Sequence, residues 1–218
     1  MIRSKRIELS EVISLFHSGM SVMIGGFGGV GLPYAIVDEL AKSDICDIHL
    51  ISNDSGRDGY KGTADLLVPG KTRKLTTTYV NGNNRVSDMI QSGELEAEII
   101  PIGTMIERIR AAGAGLGGIL TPTGVGTKVA EGKEHIFVDG KEYLLEKPLS
   151  ADVVAVRAWR ADEWGNLVFR RMEKNYNIAM LTAGRVTVAE VEEIVPVGTL
   201  SPDEITASCV LVDYLIKL

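Results

Sequence analysis

Long hydrophobic runs, clustered positive charge and cysteine are all scarce in this chain. No run approaches the ~20 apolar residues that a membrane helix needs. Glu8 and Glu11 interrupt the N-terminal region before an apolar stretch forms, so no signal peptide is expected and the chain reads as cytoplasmic. The 23 Lys and Arg residues are scattered among 29 Asp and Glu, for a net charge of −6. Nucleic acids and anionic membranes both require a concentrated basic face, so neither is an expected partner. Two cysteines, Cys46 and Cys209, stand in no CxxC spacing, which argues against a disulfide framework and fits a reducing compartment. His17, His49 and His135 are equally dispersed, without HxxxH, HExxH or Cys/His pairing, and no metal site is expected. A GxSxG nucleophile elbow is also missing.

What remains is an ordinary globular composition, 45% hydrophobic and 24% charged, over 218 residues. A chain of that size buries roughly 70% of its unfolded surface and needs no staple. No repeat, linker or low-complexity tract divides it, so one domain over 1–218 is expected.

The pattern in the first half alternates. Ser10 is placed to cap a helix with an apolar face of Val12, Ile13, Leu15 and Phe16, ended by Gly19. A short strand over 21–24 leads into a glycine turn, and Pro33 opens a helix with Ala35, Ile36, Val37 and Leu40 on one face. Strands at 48–52, 75–80 and 97–101 alternate with helices at 86–92 and 104–112. Such alternation predicts an α/β fold with a mostly parallel open sheet covered by helices on both faces. The second half predicts antiparallel additions. Asp139-Gly140 joins strands at 136–138 and 143–145 in a two-residue hairpin. Strands at 153–159, 167–170 and 186–191 and a helix at 178–183 complete the reading.

The glycine turn is the strongest local signal. Gly25, Gly26, Phe27, Gly28, Gly29, Val30 and Gly31 lie between a strand and a helix, where free N–H groups favour an anion and glycine admits a phosphate closely. A plain tight connection without ligand is the bland alternative. Gly26-x-Gly28-x-x-Gly31 also fits a dinucleotide fingerprint, with Asp54 near the end of the next strand as a ribose-binding acid, so an NAD(P)-dependent oxidoreductase is a rival. Gly70-Lys71-Thr72 imitates the end of a P-loop, but Asp65 occupies the first glycine position. The glycine-dense stretch 103–132 carries bulky Ile119, Leu120 and Val125 beside Pro122, which predicts an ordered loop, a kind usually functional in compact domains.

These segments together resemble a known family. SVMIGGFGGVGLP (21–33), ISNDSG (51–56), SGELEAEIIPIGT (92–104), ERIRAAGAG (107–115), TPTGVGTKVAEGK (121–133), LLEKPLSADV (144–153), GNLVF (165–169), KNYN (174–177) and EVEEIVPVG (190–198) are similar, in consistent order, to the alpha subunit of two-subunit class I CoA-transferases. GAGLGGILTPTG resembles the type acting on acetate, acetoacetate or butyrate, in short-chain fatty acid and ketone body metabolism. The resemblance implies a CoA-transferase (EC 2.8.3 type) working by ping-pong transfer. A glutamate attacks acyl-CoA, the acyl–enzyme anhydride becomes a glutamyl-CoA thioester, and a second acid collects the CoA. In the family that glutamate belongs to the beta subunit, and its Ser-Glu-Asn-Gly motif is missing from this chain. The chain is therefore expected to be inactive alone and to work as an α2β2 heterotetramer, with CoA as substrate and no tightly bound cofactor.

By the same resemblance the glycine turn contacts CoA, while Asn53, Asp54, Ile102 and Gly103 line the active site. Ile102 stands where relatives carry glutamine in a Pro-Gln-Gly-Thr motif. It removes a polar group near the reacting carboxylate, and the loss of one such donor can cost ~2.7–4 kcal/mol of transition-state stabilisation. A longer or less polar acyl group is the expected preference. A donor supplied by a neighbour or the partner, and a binding-only relative that has lost activity, are the alternatives. Ala112 in place of a common glycine, and Thr206-Ala207-Ser208 in place of Thr-Pro-Gly, are the remaining departures.

Overall fold

Neighbouring apolar residues of single strands go to opposite sides, and that is what gives this fold two cores. Val22 and Ile24 are buried in one cluster with Leu50, Leu75, Val153 and Ala155. Met23, between them, is buried in another with Ile51, Val154 and Val156. A strand apolar on both faces is stable only when helices cover both. The computed structural model describes residues 4–218 and shows this arrangement.

Strands β1 (Ser21–Ile24), β2 (Ile48–Ser52), β3 (Thr72–Thr77) and β4 (Glu96–Ile99) pair in sequence order, all parallel. Three-stranded β5 (Ile119–Thr121), β6 (His135–Val138) and β7 (Lys141–Glu146) form a separate antiparallel sheet in the order β5-β7-β6. The chain then returns to the other side of β1 as β8 (Ala151–Asp162), followed outward by β10 (Gly184–Val195) and β11 (Tyr214–Lys217), again parallel. Two-residue β9 (Leu167–Val168) runs antiparallel to β8.

Helices α1 (Tyr34–Lys42), α2 (Thr63–Leu66) and α3 (Asn84–Ser92) cover one face through Ile36, Val37, Leu40, Leu66, Val86 and Met89. Helices α4 (Ile102–Gly113) and α5 (Asn175–Met180) cover the other through Met105, Ile109, Tyr176 and Met180. Fold class and hairpin follow the expectation, including positive φ at Asp139 and Gly140 in the β6–β7 turn.

Three local expectations need correction. The N-terminal helix is a 3-10 segment, Leu9–Leu15, entered through Glu8 and Glu11, whose carboxylate accepts from the Glu8 N–H at 2.8 Å; Ser10 does not cap it. The helix placed at 178–183 begins earlier, at Asn175, because Asn177 turns a polar side chain inward and hides the period. Ile102 is the first residue of α4, two before the expected start. Gly70-Lys71-Thr72, already set aside as a P-loop, has a structural role: Lys71 donates to the Ser43 carbonyl and the Thr72 hydroxyl to that of Leu66.

The glycine-dense stretch is ordered for packing reasons. A Cβ at Gly113 would lie 1.9 Å from Thr182 Oγ1, one at Gly118 2.8 Å from the Glu146 carbonyl, and one at Gly124 2.7 Å from Val129. The stretch packs α4 and the small sheet closely and, apart from its neighbour Ile102, is not among the cleft-lining residues described next.

Candidate active site

Parallel pairing puts the carboxyl ends of β1 to β4 on one edge, and the segments leaving them surround a cleft of about 780 Å³. The position follows the general rule for open α/β sheets, in which ligands bind outside strand carboxyl ends where the connections diverge. Here β1 is the divergence point, with β2 on one side and β8 on the other. Gly25 to Gly29, Ser52 to Asp54, Thr78, Tyr79 and Ile102 line the cleft, together with Arg57, Tyr60 and Lys61 from the loop before α2.

The turn is built backbone to backbone. The Gly25 N–H donates to the Ala155 carbonyl at 2.8 Å, which anchors it to β8. Phe27 and Val30 exchange N–H···O bonds at 3.0 Å around Gly28 and Gly29, both at positive φ (57° and 84°), the pattern of a primed hairpin turn that glycine adopts without strain. Phe27 is thereby held out, half-exposed and stacked on Tyr176 at 6.4 Å. Among the described residues no acceptor meets the N–H groups of Gly26 and Gly29.

Two carboxylates change the reading of this turn as a generic phosphate cradle. Asp54 accepts from the Gly28 N–H at 3.0 Å and the Gly56 N–H at 2.9 Å, tying the turn to the loop that carries Arg57 and Lys61. It is thus engaged as a structural bridge and is not free in the manner of a ribose ligand. The N-terminus of α1 is filled from within the protein. Fully buried Glu190 on β10 accepts from the Ala35 and Ile36 N–H groups at 2.8 and 3.2 Å, and from Arg157 at 2.8 Å. Burial pushes its carboxyl above the ordinary range, offset in part by these donors. The anion position expected at that helix start is already taken, which removes the physical basis of the dinucleotide reading.

Of the residues expected at the site, Gly25, Gly26, Phe27, Gly28, Gly29, Asn53, Asp54 and Ile102 come together around the cleft. Val30, Gly31 and Gly103 are not among the residues that line it. Val30 closes the hairpin, Gly31 faces Asn177, and Gly103 sits exposed on the first turn of α4 beside Ile102. Asn53 is buried and donates to Thr78 Oγ1 at 3.2 Å, while its carbonyl accepts from the Thr77 and Thr78 hydroxyls. Ile102 is half-exposed at the rim, its carbonyl accepting from the Tyr176 hydroxyl at 3.3 Å.

Sequence reasoning missed the supports. Asn177, fully buried, donates to the Gly31 carbonyl and the Glu173 carbonyl, both at 2.9 Å, and fills the space that side chains at Gly25 and Gly31 would need. Asn175 donates to the Val30 carbonyl at 3.0 Å. The only local signal was a pair of asparagines in KNYN, which by spacing reads as an exposed turn. Among the described lining residues there is no glutamate, cysteine or histidine, and the cations are Arg57 and Lys61. The cleft can seat and polarise an acyl group but carries no strong nucleophile of its own.

A profile of the family described as "Coenzyme A transferase" matches residues 6–218. The chain is 40% identical over 215 residues to the alpha subunit of the acetate CoA-transferase of Escherichia coli (strain K12), covering 99% of this chain and 97% of that one. It is 45% identical over 198 residues to the A subunit of the succinyl-CoA:3-ketoacid coenzyme A transferase of Xanthomonas campestris pv. campestris (strain B100), covering 91% and 81%. Among solved structures, the acyl-CoA transferase YdiF of E. coli O157:H7, in a thioester complex with CoA, aligns with a TM-score of 0.88 at 21% identity. That alignment covers 99% of this chain but 47% of the other, so the chain spans about half its length. Glutaconate coenzyme A-transferase from Acidaminococcus fermentans aligns at 0.84 with 19% identity, covering 98% of this chain and 75% of that one. At these identities the structural matches speak for the fold.

Proposed function

The chain belongs to the coenzyme A transferase family and is the alpha-type subunit of a two-subunit CoA-transferase, and from that premise we propose that its cleft completes an active site whose nucleophilic glutamate comes from the beta subunit. The observation that carries this reading is the cleft itself. Its lining offers a glycine turn with free N–H groups, buried Asn53 and two cations, and no glutamate.

In the proposed cycle the partner's glutamate carboxylate attacks the acyl-CoA carbonyl. The C–S bond breaks, CoA leaves as thiolate, and an acyl–glutamyl anhydride remains. The thiolate then attacks the glutamyl carbonyl and frees the first carboxylic acid. A second acid runs the same steps in reverse. Gly26 and Gly29 are the N–H groups this chain offers to the developing oxyanion. Gly25 to Gly29 contact CoA, Asn53 orients the reacting carboxylate, and Asp54 holds the turn. The working assembly in this proposal is an α2β2 heterotetramer acting on short-chain acids such as acetate, acetoacetate or butyrate. No helix among the described residues is long and apolar enough to cross a membrane.

Borohydride reduction of the complex in the presence of acyl-CoA tests the cycle, because a glutamyl thioester is reduced to an alcohol at one residue. Mass spectrometry should find that residue in the partner. A complex that exchanges no CoA and traps no adduct would mark a binding-only relative.

Acyl preference is the second expected result. Ile102 places an apolar side chain at the rim, so Ile102→Gln should shift relative kcat/KM from butyrate and longer acids toward acetate. One methylene in an apolar pocket is worth about 1–3 kcal/mol, so a shift of about tenfold or more in the ratio is expected. An unchanged preference order would overturn this role for Ile102.

A further inference from the structure

We infer that Glu190 is a positioning residue for CoA transfer: a built-in anion that occupies the N-terminus of α1 and thereby sets the glycine turn preceding it. The inference rests on the functional reading above, in which that turn contacts CoA and the acyl oxygen.

The geometry is specific. Glu190 lies on β10, two strands from β1, and is fully buried, so its carboxylate reaches α1 from beneath the sheet face. One oxygen accepts both N–H groups available at the first turn of α1, from Ala35 and Ile36. The other accepts from Arg157 Nη1, and Arg157 Nη2 continues to Glu192 at 3.1 Å, which also meets Arg170 at 3.1 Å. Arg157 closes the loop back to the turn, because its backbone N–H donates to Asn177 Oδ1 at 3.3 Å and Asn177 donates to the Gly31 carbonyl. The turn is therefore gripped at two points, at its end through Asn177 and just beyond it through α1. Both grips depend on residues of β8, β10 and α5, none of which lines the cleft.

A helix start that accepts an external phosphate leaves its first N–H groups open. Here they are saturated by a charge the protein supplies, so the anionic parts of CoA must be met elsewhere in the complex. The role left for α1 is mechanical: its axis and first turn fix where Gly26 and Gly29 point their N–H groups. A buried carboxylate between two backbone donors and a guanidinium has no simple substitute: a glutamine keeps the shape but loses the ion pair with Arg157 Nη1, and its amide nitrogen presents a donor where an acceptor is needed.

The test uses the full chain, alone and assembled with its partner. Glu190→Gln keeps the volume and removes the charge. Glu190→Asp keeps the charge but is one methylene too short to span α1 and Arg157. Leu144→Ala, in the small antiparallel sheet, removes core packing outside the cluster that holds α1. Losing hydrogen bonds to a charged group corresponds to about tenfold or more. Amide hydrogen exchange over residues 26–37 should therefore rise by at least about that factor in Glu190→Gln, and less in Glu190→Asp. kcat of the complex should fall by a similar factor, with KM for the carboxylic acid changing less. Leu144→Ala should lower the melting temperature without either effect. Exchange and kcat within twofold of wild type in both Glu190 variants, or equal effects in Leu144→Ala, would overturn the inference. A wild-type complex that moves no CoA would instead count against the functional reading, while the exchange result still decides whether Glu190 holds the turn.

Discussion

Gly25→Ala is expected to cut CoA transfer by at least about a hundredfold and to destabilise the chain by several kcal/mol. The new Cβ would lie 1.9 Å from Asn177 Oδ1 and 2.9 Å from its Cγ, with the Ala155 carbonyl 3.4 Å away on the other side. Gly25 has no positive φ, so the cost is steric throughout. Asn177 is fully buried and committed to two carbonyls and the Arg157 N–H, so it yields only by giving up those bonds. Overpacking a tight core costs about 1–3 kcal/mol, and leaving buried polar groups unpaired adds about 1–3 kcal/mol. For a chain of this size each kcal/mol lowers Tm by roughly 2–4 °C. Gly28→Ala is the contrast. It has open space around a Cβ and costs only the left-handed backbone, about 1–2 kcal/mol. Thermal melts and kcat/KM of the two complexes check the difference, and equal effects from both substitutions would contradict the role given to Asn177.

Asp54→Ala is expected to reduce kcat/KM of the complex by about tenfold to a hundredfold with a smaller effect on stability. Its carboxylate joins Gly28 in the turn to Gly56 at the base of the Arg57–Lys61 loop, and hydrogen bonds to a charged acceptor contribute about 1.5–3 kcal/mol. Asp54 is only partly buried, so the lower end applies. Without the bridge both walls of the cleft move independently, and substrate positioning suffers before folding does. Asp54→Asn keeps one acceptor oxygen and should fall between wild type and alanine. Steady-state kinetics on the three complexes measure this, and an alanine variant within twofold of wild type would remove Asp54 from the site.

Legibility in the sequence varied with how local the cause was. The β1 strand and its turn were readable because Ser21-Val22-Met23-Ile24 followed by glycines is a local pattern, and so was the Asp139-Gly140 hairpin. Helix ends were less so. Ile102 begins α4 because Pro101 stops β4 and releases the chain, whereas its bulk reads as the close of a strand. The lining of the cleft by Asn53, Asp54 and Ile102 came through the family's motifs, since composition and spacing alone assign them turn roles. Val30 and Gly103 stand beside the cleft lining, Val30 closing the hairpin with Phe27 and Gly103 in the first turn of α4, placements that hydrogen bonding sets and no local pattern records.

The sequence by itself determined the alternation of elements, the parallel α/β class, the glycine turn and, through resemblance, the family. Each of these rests on a periodicity or a short contiguous motif. The tertiary structure alone decided what surrounds the turn. Glu190, Arg157 and Asn177 are more than 120 residues from it in the chain and reach it only because β8 and β10 return to the side of β1 opposite β2. It also decided that the helix start is filled from within, which no local pattern records: a Glu in a strand has the same sequence appearance whether it faces solvent or a helix N-terminus.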